Sequence, residues 1–228
     1  MVAVYVARGV KYNHTVGVGI LVSMAWDTEG TRRRLKEAAT VEFAAHGPDG
    51  TSMARIAERA GINKERLYNY FGDKRALFHT VLADELARLS ASVVPPEGGD
   101  FERVGEFAGR TYDYYADHPD LARLLLWEGL ADGPIADEAN RTEHYRRKVA
   151  AYSAAQHNGA VGTAIPADHL VLLVIGLAAW WFCVPQLAQM LTGTGPDNDT
   201  EQQRRRATVV TAAQNLATAE SAPGNAGR

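Results

Sequence analysis

Residues 51–78, TSMARIAERAGINKERLYNYFGDKRALF, contain two short helical patterns, 52–60 and 64–71, separated by a single turn at Gly61. A corner this tight needs a residue that accepts left-handed backbone without a Cβ penalty, which is what glycine offers. Ala57 is small where the two helices must cross. Ile56, Ile62 and Leu67 supply an apolar seam, and Asn63 is placed to cap the second helix. The Ala57, Gly61, Ile62, Leu67 spacing is that of a helix-turn-helix, a motif whose second helix fits the DNA major groove.

The pattern continues on both sides. From Thr31, the residues Leu35, Ala38, Ala39 and Phe43 recur at the three-and-four spacing of one helix face, and the loop 46–50 (HGPDG) should end that helix. Downstream, Asp73 is a cap for a fourth helix carrying Leu77, Val81, Leu82 and Leu86. Residues 93–99 (VVPPEGG) have the composition of a linker. Beyond them, helices are expected over 100–117, 119–131, 135–158, 166–191 and 200–219, with breaks at His118-Pro119, Asp132-Gly133-Pro134, Asn158-Gly159 and 193–196. The expected fold is all-α with about nine helices: a helix-turn-helix domain over 27–80, then a larger helical domain over 81–220. A disordered tail is expected over 221–228.

Residues 1–26 differ in character. Lys11 precedes an apolar stretch over 16–26, the layout of a secretory signal, but no small-x-small cleavage site follows. The reading preferred here is an N-terminal extension, with Met24 as the initiator and 1–23 as upstream reading frame. Cys183 is the single cysteine, which rules out an internal disulfide and suits a reducing cytoplasm.

Charge is distributed unevenly. The whole chain carries −3, yet residues 31–80 hold ten Lys/Arg against six Asp/Glu, while residues 81–228 hold twelve against nineteen. A basic module on an acidic body indicates that only the first part meets a polyanion. Within that module, Lys64, Glu65, Arg66 and Asn69 lie near the start or on the outward face of the second helix, where they can address base edges. Tyr68, Tyr70, Lys74, Thr51 and Ser52 suit phosphate contacts, and Arg32 and Arg33, ahead of the first helix, could add to these from the groove edge. Arg66 has two readings: bidentate recognition of guanine, or local compensation of neighbouring helix charges. Phe71 lies on the apolar face and packs the small domain.

Thr51, Ile56-Ala57, Ala60-Gly61-Ile62-Asn63, Leu67-Tyr68-Asn69-Tyr70-Phe71, Lys74 and Leu77 stand in the register of the TetR family signature, which this chain closely resembles over about 31–80. One departure is that Glu65 and Arg66 stand where members commonly carry Gly or Pro and then a small residue, so the operator sequence does not carry over. The resemblance implies phosphate contact by Tyr68 and Tyr70. It also implies a helical domain that binds a small molecule and dimerises through its last two long helices. Candidate dimer contacts are Leu173, Leu177, Trp181, Pro185 and Leu187 from one helix, with Val209, Val210, Ala213 and Leu216 from the next. The uncharged run 170–184 has fifteen residues, short of the ~20 that a membrane span needs, and a helix apolar all round must be covered by protein.

Phe107, Tyr114, Tyr115, Leu124 and Trp127, with Trp180, form an aromatic-rich set. At helical spacing such residues are more often core than ligand cage, yet they are the first place to seek an effector pocket. His118, His144 and His157 show no metal-ligand spacing. No nucleophile elbow, phosphate loop or carboxylate pair is visible, so neither cofactor nor catalysis is expected. The function expected is that of a cytoplasmic homodimeric regulator with two partners, double-stranded operator DNA and a small-molecule effector. The effector would release repression, although activation is also compatible. Two other classes are a helical dimeric interaction module and an enzyme fused to a DNA reader. Steep salt dependence of binding to duplex DNA separates the first from a DNA reader, and turnover would reveal the second.

Overall fold

In a computed structural model the chain is described over residues 14–93, 101–195 and 198–218, with side chains from Thr28 onward and, in the second stretch, from Arg103 onward. Among the described residues there are ten helices and no strand: α1 (His14–Gly50), α2 (Met53–Ala60), α3 (Lys64–Phe71), α4 (Lys74–Ser92), α5 (Phe101–Asp117), α6 (Pro119–Leu130), α7 (Glu138–His157), α8 (Ala167–Cys183), α9 (Pro185–Thr192) and α10 (Asp199–Thr218). The fold is all-α, a helix-turn-helix head followed by a helical body. The linker expected at 93–99 lies outside the described residues apart from Val93, as do the tail at 221–228 and the first thirteen residues of the expected extension.

Three expectations need correction. First, α1 begins at His14, so the Arg32–Arg33 pair is inside a helix and not ahead of one, and no break in the helix marks the 26/27 boundary. Second, the loop expected at 46–50 is a kink: Gly47 (φ 70, ψ 171) interrupts α1, and one further turn follows it. Third, the helix expected over 166–191 is two helices, α8 and α9, bent by 85°. Pro185 opens α9, and its ring pushes the preceding Val184 (φ −130, ψ 59) out of helical backbone. This break is the origin of the tenth helix. No single helix among the described residues is long and apolar enough to cross a membrane.

One continuous core joins head and body. Leu35, Ala39 and Phe43 of α1 are buried with Ile56 and Leu67 of α2 and α3 and with Leu77, Val81 and Leu82 of α4. The rings of Phe43 and Phe78 meet edge-on at 5.3 Å. In the body α5 is packed between α8 and α10, and Gly105 and Gly109 leave room for Gln214, Arg206 and Val210 of α10 to lie against its backbone.

Head and body are also joined by polar contacts. The Ala44 carbonyl, near the end of α1, accepts from Arg123 Nε (2.6 Å) and Trp127 Nε1 (3.3 Å) of α6. Arg75 at the start of α4 donates to the Asp132 carbonyl after α6 (3.0 Å), and Lys36 of α1 is paired with Asp84 of α4.

Gly47 adopts backbone that is essentially restricted to glycine, and a Cβ there would lie 2.8 Å from the Trp127 ring. Gly47→Ala is therefore expected to lower stability by about 1–3 kcal/mol in urea unfolding. Gly61→Ala, also left-handed (φ 64) but with open space around it, should lose only about 1 kcal/mol.

Candidate nucleic-acid interface

The helix-turn-helix is held by its own backbone logic. Ser52 caps α2 by accepting from the Arg55 amide (3.3 Å). At its end, Gly61 (φ 64, ψ 34) turns left-handed, so that the Gly61 and Ile62 amides donate to the Glu58 and Ala57 carbonyls (3.0 Å each). Asn63 then caps α3 by accepting from the Glu65 amide (2.8 Å), and Asp73 caps α4 through the Ala76 amide (2.8 Å). Ala57 is buried at the crossing; Ile56 and Leu67 are fully buried, Phe71 nearly so, and Ile62 partly.

The opposite side of α3 faces solvent. Lys64, Glu65, Arg66 and Asn69 are all exposed, as is Tyr68. Residues 65, 68 and 69 share one face at helical spacing, and the Lys64 ammonium lies 5.6 Å from the Tyr68 ring centre. The result is a short helix with its apolar side locked and a row of hydrogen-bonding side chains turned outward, which is the form needed to read base edges.

The other expected contact residues are placed less uniformly. Ser52 is exposed beside the first amides of α2. Arg33 is exposed and lies 3.6 Å from Glu37. Arg32 is exposed too, with its guanidinium 5.5 Å from the Phe71 ring centre. Tyr70 is half-buried against the core. Lys74 is half-buried and donates to the Thr51 carbonyl (3.2 Å), so it ties the start of α4 to the α1–α2 connection. The Thr51 expectation is corrected outright: its side chain is buried, and its hydroxyl donates to Glu42 Oε2 at 2.9 Å.

That contact exposes a residue which the motif reading missed. Glu42 is 3% exposed, and its carboxylate also accepts from Arg59 Nε (2.8 Å) and lies 3.4 Å from Arg55 Nη2. Burial pushes the carboxyl up. The hydrogen bonds from Arg59 and Thr51 and the charges of Arg55 and Arg59 outweigh this and hold it below the usual glutamate range. A signal was present in the sequence: Glu42 falls on the apolar face of helix 1, four residues after Ala38 and seven after Leu35.

In the body, Phe107, Tyr114, Tyr115 and Leu124 are all buried. Phe107 meets Tyr152 edge-on at 6.5 Å, and Tyr115 stacks on Phe182 at 6.0 Å. Trp127 faces a cavity of about 260 Å³ between α1, α4 and α6, which Lys74, Arg75 and Glu128 also line. Trp180 is 57% exposed, so it does not belong to an enclosed pocket with the others. Among the expected dimer contacts, Leu173 is exposed, and Leu177, Trp181 and Leu216 are partly buried. Val209 and Ala213 are fully buried within one chain, and this removes them as contacts to a second. On α8 and α9 the exposed large apolar side chains are Leu172, Leu173, Trp180, Leu187, Met190 and Leu191, of which Leu173 and Leu187 are among the expected contacts. No group of three or more potential metal-ligating side chains occurs among the described residues.

A group whose pKa falls on folding stabilises the native state above its unfolded pKa, and that stabilisation is lost as pH drops through the folded value. Glu42→Gln should therefore lower stability by about 1–3 kcal/mol at pH 7. The gap between variant and parent should close as pH falls below the ordinary glutamate value of 4.5, as followed by urea melts across pH.

Two family models match the chain: bacterial regulatory proteins of the tetR family over residues 35–81, and the tetracyclin repressor-like C-terminal domain over residues 103–215. The HTH-type transcriptional repressor SCO4008 of Streptomyces coelicolor is 43% identical over 173 residues, covering 75% of this chain and 88% of that protein. The HTH-type transcriptional repressor NicS of Pseudomonas putida is 29% identical over 116 residues, 48% of this chain and 53% of its own length. Among solved structures, the regulator SCO4942 of Streptomyces coelicolor matches with a TM-score of 0.69 at 30% identity, over 82% of this chain and 97% of that one. AibR, solved in complex with isovaleryl coenzyme A and operator DNA, shares the fold with a TM-score of 0.64 at 16% identity, over 80% of this chain and 97% of its own. The chain thus belongs to the tetR family of bacterial regulatory proteins and is a helix-turn-helix, DNA-binding transcriptional regulator.

Proposed function

We propose that the protein is a homodimeric repressor that holds a palindromic operator through α3 and leaves it when a small molecule occupies the helical body. The observation that carries this reading is the outward row of Lys64, Glu65, Arg66, Tyr68 and Asn69 on a helix whose other side is fixed in the core. In this reading Arg66 and Asn69 address bases. Lys64, Tyr68 and Ser52 address phosphates, with Arg33 at the groove edge. Thr51, Tyr70 and Lys74 support the head from within.

Dimerisation is supported by the exposed apolar side chains of α8 and α9, more than a monomer needs on one region of its surface. A two-fold pair would set two copies of α3 about one DNA turn, or a multiple of it, apart. Release by an effector is supported by the continuity between the parts. Helix α4 follows α3 after a two-residue turn and runs for 19 residues beside the body, and α6 grips the Ala44 carbonyl of α1. A ligand that prefers one arrangement of these helices changes DNA affinity by its differential binding, and tightness alone does nothing.

Fluorescence anisotropy against a duplex from the upstream intergenic region tests this. Affinity should fall steeply with salt, and a flat response would mean that phosphates are not contacted. Arg66→Ala should reduce discrimination between specific and altered duplexes by about 1–3 kcal/mol. Lys64→Ala should weaken all duplexes alike and lower the salt slope by about one. Unchanged sequence preference in Arg66→Ala would remove Arg66 from base reading.

A further inference from the structure

The second half of α4 and the first part of α7 flank a cleft of about 270 Å³, at the small end of the roughly 300–1,000 Å³ common for ligand pockets. Its α4 wall is mostly apolar, with Leu86 and Leu89 beside Ser90, which is hydrogen-bonded to His144 (3.1 Å); the facing side carries Asp137, Arg141, Arg147 and Lys148. Two of these cations are already matched. Arg141 donates to both oxygens of Glu128 (2.8 Å each), and Arg147 Nε lies 3.6 Å from Glu143.

Lys148 differs. It is 5% exposed, and its ammonium meets the rings of Phe107 (5.2 Å) and Tyr145 (5.6 Å), with no carboxylate within 4 Å among the described residues. Burial pushes it down to about 8, so it is still a cation at neutral pH. Buried charges are ordinarily paired, and ring faces answer only part of that need.

Three further buried polar groups of α5 and α7 are left incomplete, Arg141 Nε of the cleft wall among them. The Tyr152 hydroxyl, one turn beyond Lys148 on α7, and the Tyr114 hydroxyl on α5, which feels the charges of Glu85 and Arg88 of α4, are both buried with no hydrogen-bond partner. An unmatched ammonium facing a void with an apolar wall lacks one thing, a negatively charged acceptor on an apolar body. Arg141 and Arg147 already have Glu128 and Glu143, so Lys148 leaves one positive charge to be met, and a carboxylate carries one negative charge.

We propose that the α4–α7 cleft binds a small organic carboxylate, with Lys148 as its charge partner. This rests on the reading that the body takes a small-molecule effector, and it names that molecule's chemical class. The ligand's hydrocarbon part lies against Leu86, Leu89 and Tyr145, and its carboxylate supplies the counter-ion that Lys148 lacks.

Calorimetry on the full chain tests it with benzoate, phenylacetate and hexanoate, each set against its primary amide of the same shape. At least one acid should bind saturably, with its amide ten-fold or more weaker. Lys148→Met keeps the apolar stem and removes the charge. It should weaken the acid about 10- to 100-fold without changing the amide, whereas Lys148→Arg should retain binding. Thermal melts establish that the variants fold, and the acid-against-amide comparison on the parent chain does not depend on them. The proposal is overturned if none of the acids binds, if acids and amides bind alike, or if a folded Lys148→Met binds the acid unchanged. Operator affinity with and without the acid separates this from the function above. An acid that binds but leaves operator affinity untouched removes effector release and keeps the site, while release by another compound with no acid binding removes the site and keeps effector release.

Discussion

The buried carboxylate of Glu42 sets the posture of the DNA-reading head. Helices α2 and α3 have eight residues each, well below the ~12–15 at which an isolated helix begins to persist in water. Their order therefore comes from what they are fastened to. Glu42 takes hydrogen bonds from Thr51, just before α2, and from Arg59, near its end, so one side chain of α1 holds α2 at two points almost its full length apart. Gly61 passes that fixed position on to α3, and Leu67 and Phe71 anchor the far side of α3 in the core. The reading surface is rigid because everything behind it is committed.

Much of this was legible in the chain itself. The glycine turn, the Asn63 and Asp73 caps and the Ile56–Leu67 seam are local devices, and local devices leave local signatures. What was hidden depended on partners distant in sequence. Thr51 reads as a polar residue at a helix start and gives no sign that its hydroxyl is taken by a carboxylate nine residues earlier. Val209 and Ala213 have the apolar spacing of an interface, and only the close approach of α5, allowed by Gly105 and Gly109, shows that the chain buries them itself. The break at Pro185 was within reach, since proline restricts the residue before it. An uninterrupted apolar run outweighed that signal, and one long helix was expected where two meet at 85°.

The body shows a different economy of polar groups. In the head the buried Glu42 and Thr51 are matched within the chain, with the Thr31 hydroxyl the exception. On the facing sides of α5 and α7 the matching stops, with Lys148 lacking a carboxylate and the Tyr114 and Tyr152 hydroxyls lacking acceptors. A domain that must present one fixed surface gains from complete internal pairing. The carboxylate proposed above would complete the pairing that the body leaves undone. Sequence patterns do not separate the two cases, because Tyr145, Lys148 and Tyr152 recur at the same helical spacing as any core stripe.

The grip of α6 on α1 has a consequence of another kind. Arg123 and Trp127 both hold the carbonyl of Ala44, a backbone atom that every residue possesses. Exchanging the side chain at position 44 leaves that acceptor in place, so all the chemical identity of the joint resides in α6. A change at either α6 side chain loosens this contact whatever the head reads, whereas the Arg75–Asp132 contact depends on a side chain of the head. At the Ala44 carbonyl, then, the sequence of the head and the strength of its attachment vary on separate parts of the chain.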